Sequence, residues 1–168
     1  KSGVSIVRFL SENGAKVTVS DHKSKAELST QLEQIEGMNV EFDLGGHTPK
    51  KFIEQDLIVL SPGVSPQLKI FDYARNNGVK VTGEFEFANW FIKEPVIAIT
   101  GTNGKTTTTY LTHKMLKESG VDAWIGGNYG TPVIEYVREG KNPRCSFSKF
   151  PAFSLNTASV LIQKTSSS

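Results

Sequence analysis

Ile97-Ala98-Ile99-Thr100-Gly101-Thr102-Asn103-Gly104-Lys105-Thr106-Thr107-Thr108-Thr109 is the stretch that decides how the rest of the chain is read. An apolar strand over Val96 to Ile99 runs into a Gly-rich turn. Lys105 and Thr106 then open a helix that continues through Tyr110, Leu111, Met115 and Leu116. A nucleoside triphosphate asks for these parts in this order. Gly101 and Gly104 let backbone N–H groups converge on phosphate oxygens, and the helix start adds its partial positive charge. Lys105 can reach the terminal phosphates, and the Thr106 hydroxyl can ligate Mg²⁺. The strict phosphate-loop pattern has Gly five positions before the second Gly, where this chain has Ile99, so the loop is a short variant. The competing reading is an ordinary strand-to-helix turn that contains Gly and Lys.

Upstream of the loop the apolar spacing switches repeatedly between helical and strand periods. Val4, Val7, Phe9 and Leu10 suit a helix closed by Asn13-Gly14, and Lys16 to Ser20 alternates as a strand that stops at Asp21. Residues 24–36 predict a helix with Leu28, Leu32 and Ile35 on one face, and Val40 and Phe42 mark a short strand. Leu57 to Leu60 is a continuous apolar strand ended by Ser61-Pro62-Gly63. Residues 67–77 predict a helix, Val79 to Val81 a strand, and 84–92 another helix, in which Phe85 and Phe87 look like core and Glu84 and Glu86 like a solvated face. Such alternation gives an α/β class, a Rossmann-like parallel sheet covered by helices. A second βα pattern begins after Lys93-Glu94-Pro95, so residues 1–93 form one domain and residues 94–144 open a second, phosphate-loop α/β domain. Asp21 falls at a strand C-terminus, where open α/β sheets collect ligands; the alternative is a turn or helix-capping role.

Composition narrows the class. The chain has 168 residues and a net charge of +2, which implies no field for nucleic acid. No apolar run approaches the ~20 residues that span a bilayer. There is no leader pattern, and the single Cys145 excludes an intramolecular disulfide. These features fit a cytoplasmic protein.

The loop variant resembles the ATP loop of the Mur ligase family, the ATP-dependent amino-acid ligases of peptidoglycan synthesis. Three further segments resemble the D-glutamate-adding branch: Leu60-Ser61-Pro62-Gly63-Val64, Gly83-Glu84-Phe85-Glu86-Phe87, and Gly126-Gly127-Asn128-Tyr129-Gly130-Thr131-Pro132. The resemblance runs from residue 1 to about residue 143. It implies that Gly101, Thr102, Asn103, Gly104, Lys105, Thr106 and Thr107 hold ATP, with Lys105 and Thr106 acting in catalysis and Thr106 on Mg²⁺. It implies that Asp21, His22 and Lys23 face the uracil, and that Ser2 and Gly63 approach the diphosphate with Ser61 in the same substrate-binding turn. Asn128 becomes a contact near the sugar, although Gly126-Gly127-Asn128 also reads as a plain turn. The implied partners are UDP-N-acetylmuramoyl-L-alanine and D-glutamate, joined through an acyl phosphate, in a cytoplasmic enzyme that is monomeric and not inserted in membrane. Three readings stand beside it. One is a Mur ligase for a different amino acid. A second is a dinucleotide-binding oxidoreductase, although no Gly-x-Gly-x-x-Gly is present. The third is a non-catalytic nucleotide-binding module.

Both ends depart from the family pattern. In a doubly wound domain the first helix follows a strand and a Gly-rich turn. Here only Ser2-Gly3 of that turn stands before it. Residues 145–168 contain no Asp, Glu or Gly and keep no period for long. Back-translating from Arg144 and restoring one base lets the codons read Glu-Val-Leu-Val-Leu-Glu-Val-Ser-Ser-Phe-Gln-Leu, a buried strand and the family's magnesium-binding Glu segment. A shifted frame is therefore one reading of 145–168, and a natural divergent tail the other. The sequence predicts a sheet without its central strand, and a chain that neither folds stably nor turns over by itself.

Overall fold

The computed structural model describes residues 2–127, 130–140, 145–149 and 158–163. The elements of the first half are α1 (Ser2–Glu12), β1 (Lys16–Asp21), α2 (Ser29–Glu33), β2 (Val40–Leu44), α3 (Pro49–Ile53), β3 (Leu57–Leu60), α4 (Lys69–Asn76) and β4 (Lys80–Gly83). They are followed by α5 (Glu84–Asn89), β5 (Val96–Ile99), α6 (Lys105–Glu118), β6 (Ala123–Gly127), α7 (Val133–Arg138), β7 (Cys145–Lys149) and β8 (Ala158–Gln163). Two compact units result. The first runs to Glu84 and takes in β8; the second begins at Phe85 and takes in β7.

The sheet of the first unit has the order β2-β1-β8-β3-β4. β1 pairs parallel with β2, Val17 opposite Val40, and β3 pairs parallel with β4, Leu57 opposite Lys80. β8 lies between the two pairs and runs antiparallel to both, with Val160 opposite Val19 on one side and Val59 on the other. The expected gap at the centre of the sheet is thus closed by residues from the C-terminal stretch. The physical reason is the ladder. β1 and β3 each turn a row of N–H and C=O groups inward, and burial requires that these be paired. Ala158-Ser159-Val160-Leu161-Ile162-Gln163 carries no charge, Gly or Pro to prevent it.

Helices cover the sheet as the apolar pattern requires. Ile58 and Leu60 of β3 join Phe52, Val64, Phe71, Ala74 and Val79 in one core, where the Phe52 and Phe71 rings lie 6.1 Å apart. Val59, on the opposite face of the strand, is also fully buried. Burial on both faces is what makes this strand a continuous apolar run. α1 lies against β1 and β8 and buries Ile6, Val7 and Leu10. The helix predicted over 24–36 shrinks to α2, because of its apolar stripe only Ile35 is buried. β2 departs from its pattern as well: Phe42 is 42% exposed and Asp43 only 9%.

In the second unit the order is β5-β7-β6, all parallel, with Ser146 of β7 opposite Val96 and Trp124. Trp124 stacks obliquely on Tyr136 of α7, ring centres 4.9 Å apart. Leu116 of α6 packs on Ala123 with Val121, while Tyr110, Leu111 and Met115 are exposed. Glu86 is exposed and Phe87 buried as expected, but Glu84, the residue at which the first unit's N-terminal stretch ends, is buried, which corrects its reading as a solvated residue.

Replacing Val160 by Pro removes a ladder donor from a strand paired on both sides and leaves the facing carbonyl unpaired, a loss of about 1–3 kcal/mol. Urea unfolding of the Val160→Pro chain, followed by circular dichroism, should show that loss. An unchanged midpoint would place residues 158–163 outside the sheet.

Candidate functional site

The Gly-rich turn of the second unit is built as its sequence requires. The chain leaves β5, turns at Gly101 (φ 144°), and enters α6 through Gly104 in the left-handed conformation (φ 74°, ψ −7°). A Cβ on Gly104 would meet nothing closer than Thr108 Oγ1 at 4.0 Å. Backbone conformation, rather than crowding, therefore calls for glycine there. No side chain caps the helix start, and the helix's own bonding opens with the Thr108 N–H donating to the Gly104 carbonyl at 2.9 Å. Residues 101–104 are exposed.

Lys105 stands in the first turn of α6, where a cation is opposed by the helix dipole by about 0.3–1 kcal/mol. Its Nζ is held over the turn by the carbonyls of Gly101 and Thr102, the latter at 3.2 Å. That first turn contains no acidic residue. A positive side chain, a positive helix end and open left-handed glycines converge on one face, and that arrangement suits a polyanion. The residues therefore fit a nucleotide's phosphates, with the Thr106 and Thr107 hydroxyls on the same exposed turn.

The second group of expected residues lies in the first unit, at the C-terminal edge of its parallel strands. Asp21 ends β1 and is buried. Its Oδ1 accepts the Lys23 N–H at 2.9 Å and lies 3.2 Å from His22 Nδ1, so the three residues form one tight turn. Ser61 and Gly63 form the turn after β3, closed by the Val64 N–H donating to the Ser61 carbonyl at 3.1 Å. The start of α1, which carries Ser2, reaches this turn: a Cβ on Gly3 would sit 3.3 Å from Ser61 Oγ. Ser61 Oγ is buried and has no hydrogen-bond partner among the described residues, a polar atom that a ligand oxygen beside the α1 start would satisfy. Asn128 lies outside the described residues.

Beside Asp21 sits a polar network that sequence reasoning missed. Asp43 accepts the Thr48 N–H at 2.9 Å, the Thr48 hydroxyl at 2.7 Å and the Ser20 hydroxyl at 3.2 Å, and Lys51 Nζ is 3.5 Å away. His47 Nδ1 is 2.8 Å from Ser20 Oγ, and its ring stands edge-on to Phe52. Burial pushes Asp43 up, but the Thr48 bonds, the Lys51 charge and Ser20 outweigh it and hold the carboxyl below its ordinary range. Burial pushes His47 below the ordinary histidine range against the pull of Asp43 and Asp21. One signal was available: Gly45-Gly46-His47-Thr48 follows the strand residues Asp43-Leu44, so an acidic residue stands just ahead of the Gly-Gly turn.

The chain matches two family descriptions: Mur ligase MurD-like, N-terminal domain, over residues 1–83, and Mur ligase middle domain, over residues 99–154. It is 54% identical over 155 residues to a UDP-N-acetylmuramoylalanine--D-glutamate ligase of Bdellovibrio bacteriovorus, covering 92% of this chain and 34% of that protein. It is 45% identical over 141 residues to the protein of the same name from Citrifermentans bemidjiense, covering 84% of this chain and 31% of that one. A solved pseudomurein peptide ligase type C from Methanothermus fervidus superposes with a TM-score of 0.43 at 26% identity, over 88% of this chain and 30% of that one. The chain belongs to the Mur ligase family. It spans about a third of the length of the curated relatives it matches.

The network predicts acid sensitivity with a definite sign. Asp43 and His47 both titrate lower in the folded chain than when unfolded, so on acidification the unfolded chain takes up their protons first. Their contribution is complete above ~6.5, falls as His47 protonates, and falls again below ~3.9 as Asp43 does. Asp43→Asn turns an NH₂ donor toward other donors and should cost about 1–3 kcal/mol at neutral pH. It should also flatten the acid limb below the aspartate range. Unfolding midpoints measured from pH 3 to 8 for both forms check this, and parallel curves would contradict it.

Proposed function

We propose that the chain carries the nucleotide-sugar-binding and ATP-loop portions of a ligase that adds D-glutamate to UDP-N-acetylmuramoyl-L-alanine in peptidoglycan synthesis, acting in the cytoplasm as a monomer. The observation that carries this reading is the turn from Gly101 to Thr106, with left-handed Gly104 and a lysine placed against the helix dipole. The substrates follow from the names of the relatives, together with Ser61-Pro62-Gly63 and the Gly126-Gly127-Asn128 segment.

Residues 1–93 form the nucleotide-sugar portion in this reading, and residues 94–144 open the ATP portion. Asp21, His22 and Lys23 receive the uridine end. Ser2, Ser61 and Gly63 line the diphosphate at the start of α1, and Asn128 is assigned to the sugar from its Gly-Gly-Asn segment alone. The backbone from Gly101 to Gly104, with Thr107, cradles the ATP phosphates. Lys105 neutralises the terminal ones, and Thr106 offers its hydroxyl to Mg²⁺, a hard cation that keeps waters and phosphate oxygens as its other ligands. Bound ATP supplies the phosphoryl group that makes a carboxylate into an electrophile. The chain's own part is to position and to neutralise charge. Sequencing the DNA across codons 140–168 decides between the shifted frame and the divergent tail.

In the full-length protein, Lys105→Ala should lower D-glutamate-dependent phosphate release by about a hundredfold or more while the fold is kept. Near-normal turnover by a folded variant would remove Lys105 from the site. Asp21→Ala should raise KM for the nucleotide sugar far more than KM for ATP. Steady-state kinetics with each substrate varied in turn reads the difference, and equal effects on both would count against the uridine assignment.

A further inference from the structure

We propose that His47 is a positioning residue for the nucleotide-sugar site: through Ser20 and Asp43 it locks the Gly45-Gly46 turn onto Asp21, and so fixes the Asp21-His22-Lys23 turn that receives the ligand. The proposal rests on the uridine reading of that turn. Two loops meet at this corner of the sheet. The turn after β2 lays its backbone on the turn after β1: the Gly45 N–H reaches the carbonyls of Asp21 at 3.0 Å and Lys23 at 2.9 Å, and the Gly46 N–H reaches that of Asp21 at 3.4 Å. Both glycines have positive φ, 79° and 156°. Two adjacent glycines make the most freely moving turn a chain can have, so something outside the backbone must hold it in register.

Side chains supply that hold. Asp43, at the near end of the turn, binds both the N–H and the hydroxyl of Thr48 at the far end. Ser20, the residue before Asp21, ties the turn to β1 from within. Its hydroxyl has a single proton, which is donated to Asp43 Oδ2 at 3.2 Å. Because the Asp43 carboxylate can only accept, we assign the 2.8 Å contact between Ser20 Oγ and His47 Nδ1 to donation by the imidazole, with the His47 proton on Nδ1. Phe52, fully buried, stands edge-on to the ring at 5.6 Å and fixes the imidazole plane. The chain His47 N–H to Ser20 O–H to Asp43 carboxylate has one polarity and no spare proton.

Without the Nδ1–H donor the Gly-Gly turn keeps its Asp43–Thr48 bonds but loses one of its ties to β1 at Ser20, so its two bonds to the Asp21 carbonyl open more often and the Asp21-His22-Lys23 turn samples other conformers. Apparent affinity falls by the fraction of molecules still competent to bind. The phosphate loop belongs to the other unit, and its affinity for ATP should not follow.

The test uses the full-length protein and calorimetric titration with UDP-N-acetylmuramoyl-L-alanine and, separately, with ATP. His47→Phe keeps a ring against Phe52 and removes the donor. It should weaken nucleotide-sugar binding about tenfold and leave ATP binding unchanged. His47→Asn, whose amide nitrogen falls near the Nδ1 position, should recover most of the loss. Ser20→Ala, a smaller change, should repeat the selective loss, and it decides the matter if His47→Phe does not fold. Unchanged nucleotide-sugar affinity in folded His47→Phe overturns the proposal. So does an equal loss for both ligands, or a folded His47→Asn that recovers nothing. Failure of the unsubstituted protein to bind the nucleotide sugar instead overturns the uridine reading itself.

Discussion

β1 and β3 are not neighbours in their sheet; each makes its inner ladder with β8. Taken without that strand, β1–β2 and β3–β4 are two separate parallel ribbons, and an isolated two-stranded ribbon is marginal in water. With it they become one five-stranded sheet, and their helices share a common floor. Placement of the candidate site depends on the same pairing. Asp21 of β1 is opposite Ala158, and Leu60, just before Ser61, is opposite Ser159. The first two residues of β8 therefore set the spacing between the turn after β1 and the turn after β3. A ladder laid down by backbone groups thus spaces residues far apart in the chain.

The second unit shows a different balance between stability and use. A lysine in the first turn of a helix, an uncapped helix start and a left-handed glycine are each unfavourable or indifferent to folding. All three occur together after β5, and all three favour an anion at the same face. Such a concentration of locally poor choices is expected at a working site, because the interactions that compensate for it come from the ligand. The carbonyls that hold Lys105 Nζ keep the ammonium over the turn rather than in solvent.

Asp43 illustrates how an edge strand can turn a charged residue inward. The strand sequence Val-Glu-Phe-Asp-Leu offers Phe42 as the obvious core residue, yet Phe42 lies outside and Asp43 inside. Hydrogen bonds from Thr48 and Ser20 and the nearby Lys51 offset the burial of the carboxylate. No local period announces this, because the partners come from the preceding strand and from the loop that follows.

The local geometry of the candidate site's turns was legible in the residues alone. The Gly101–Thr106 turn, the Ser61-Pro62-Gly63 turn and the strand end at Asp21 follow from local chemistry: glycine where φ must be positive, a helix start after a strand, a polar residue where an apolar strand ends. The strands at β1 and β3 were equally plain, since a strand's apolar pattern is written within its own few residues. What the chain's local pattern did not contain was the pairing of residues that meet only after folding. The burial of Glu84, the Ser20-Asp43-His47 network, and the entry of residues 158–163 between β1 and β3 were decided by the tertiary structure. The network and the inserted strand satisfy polar or backbone groups displayed by segments distant in sequence, and a local period cannot record such a demand.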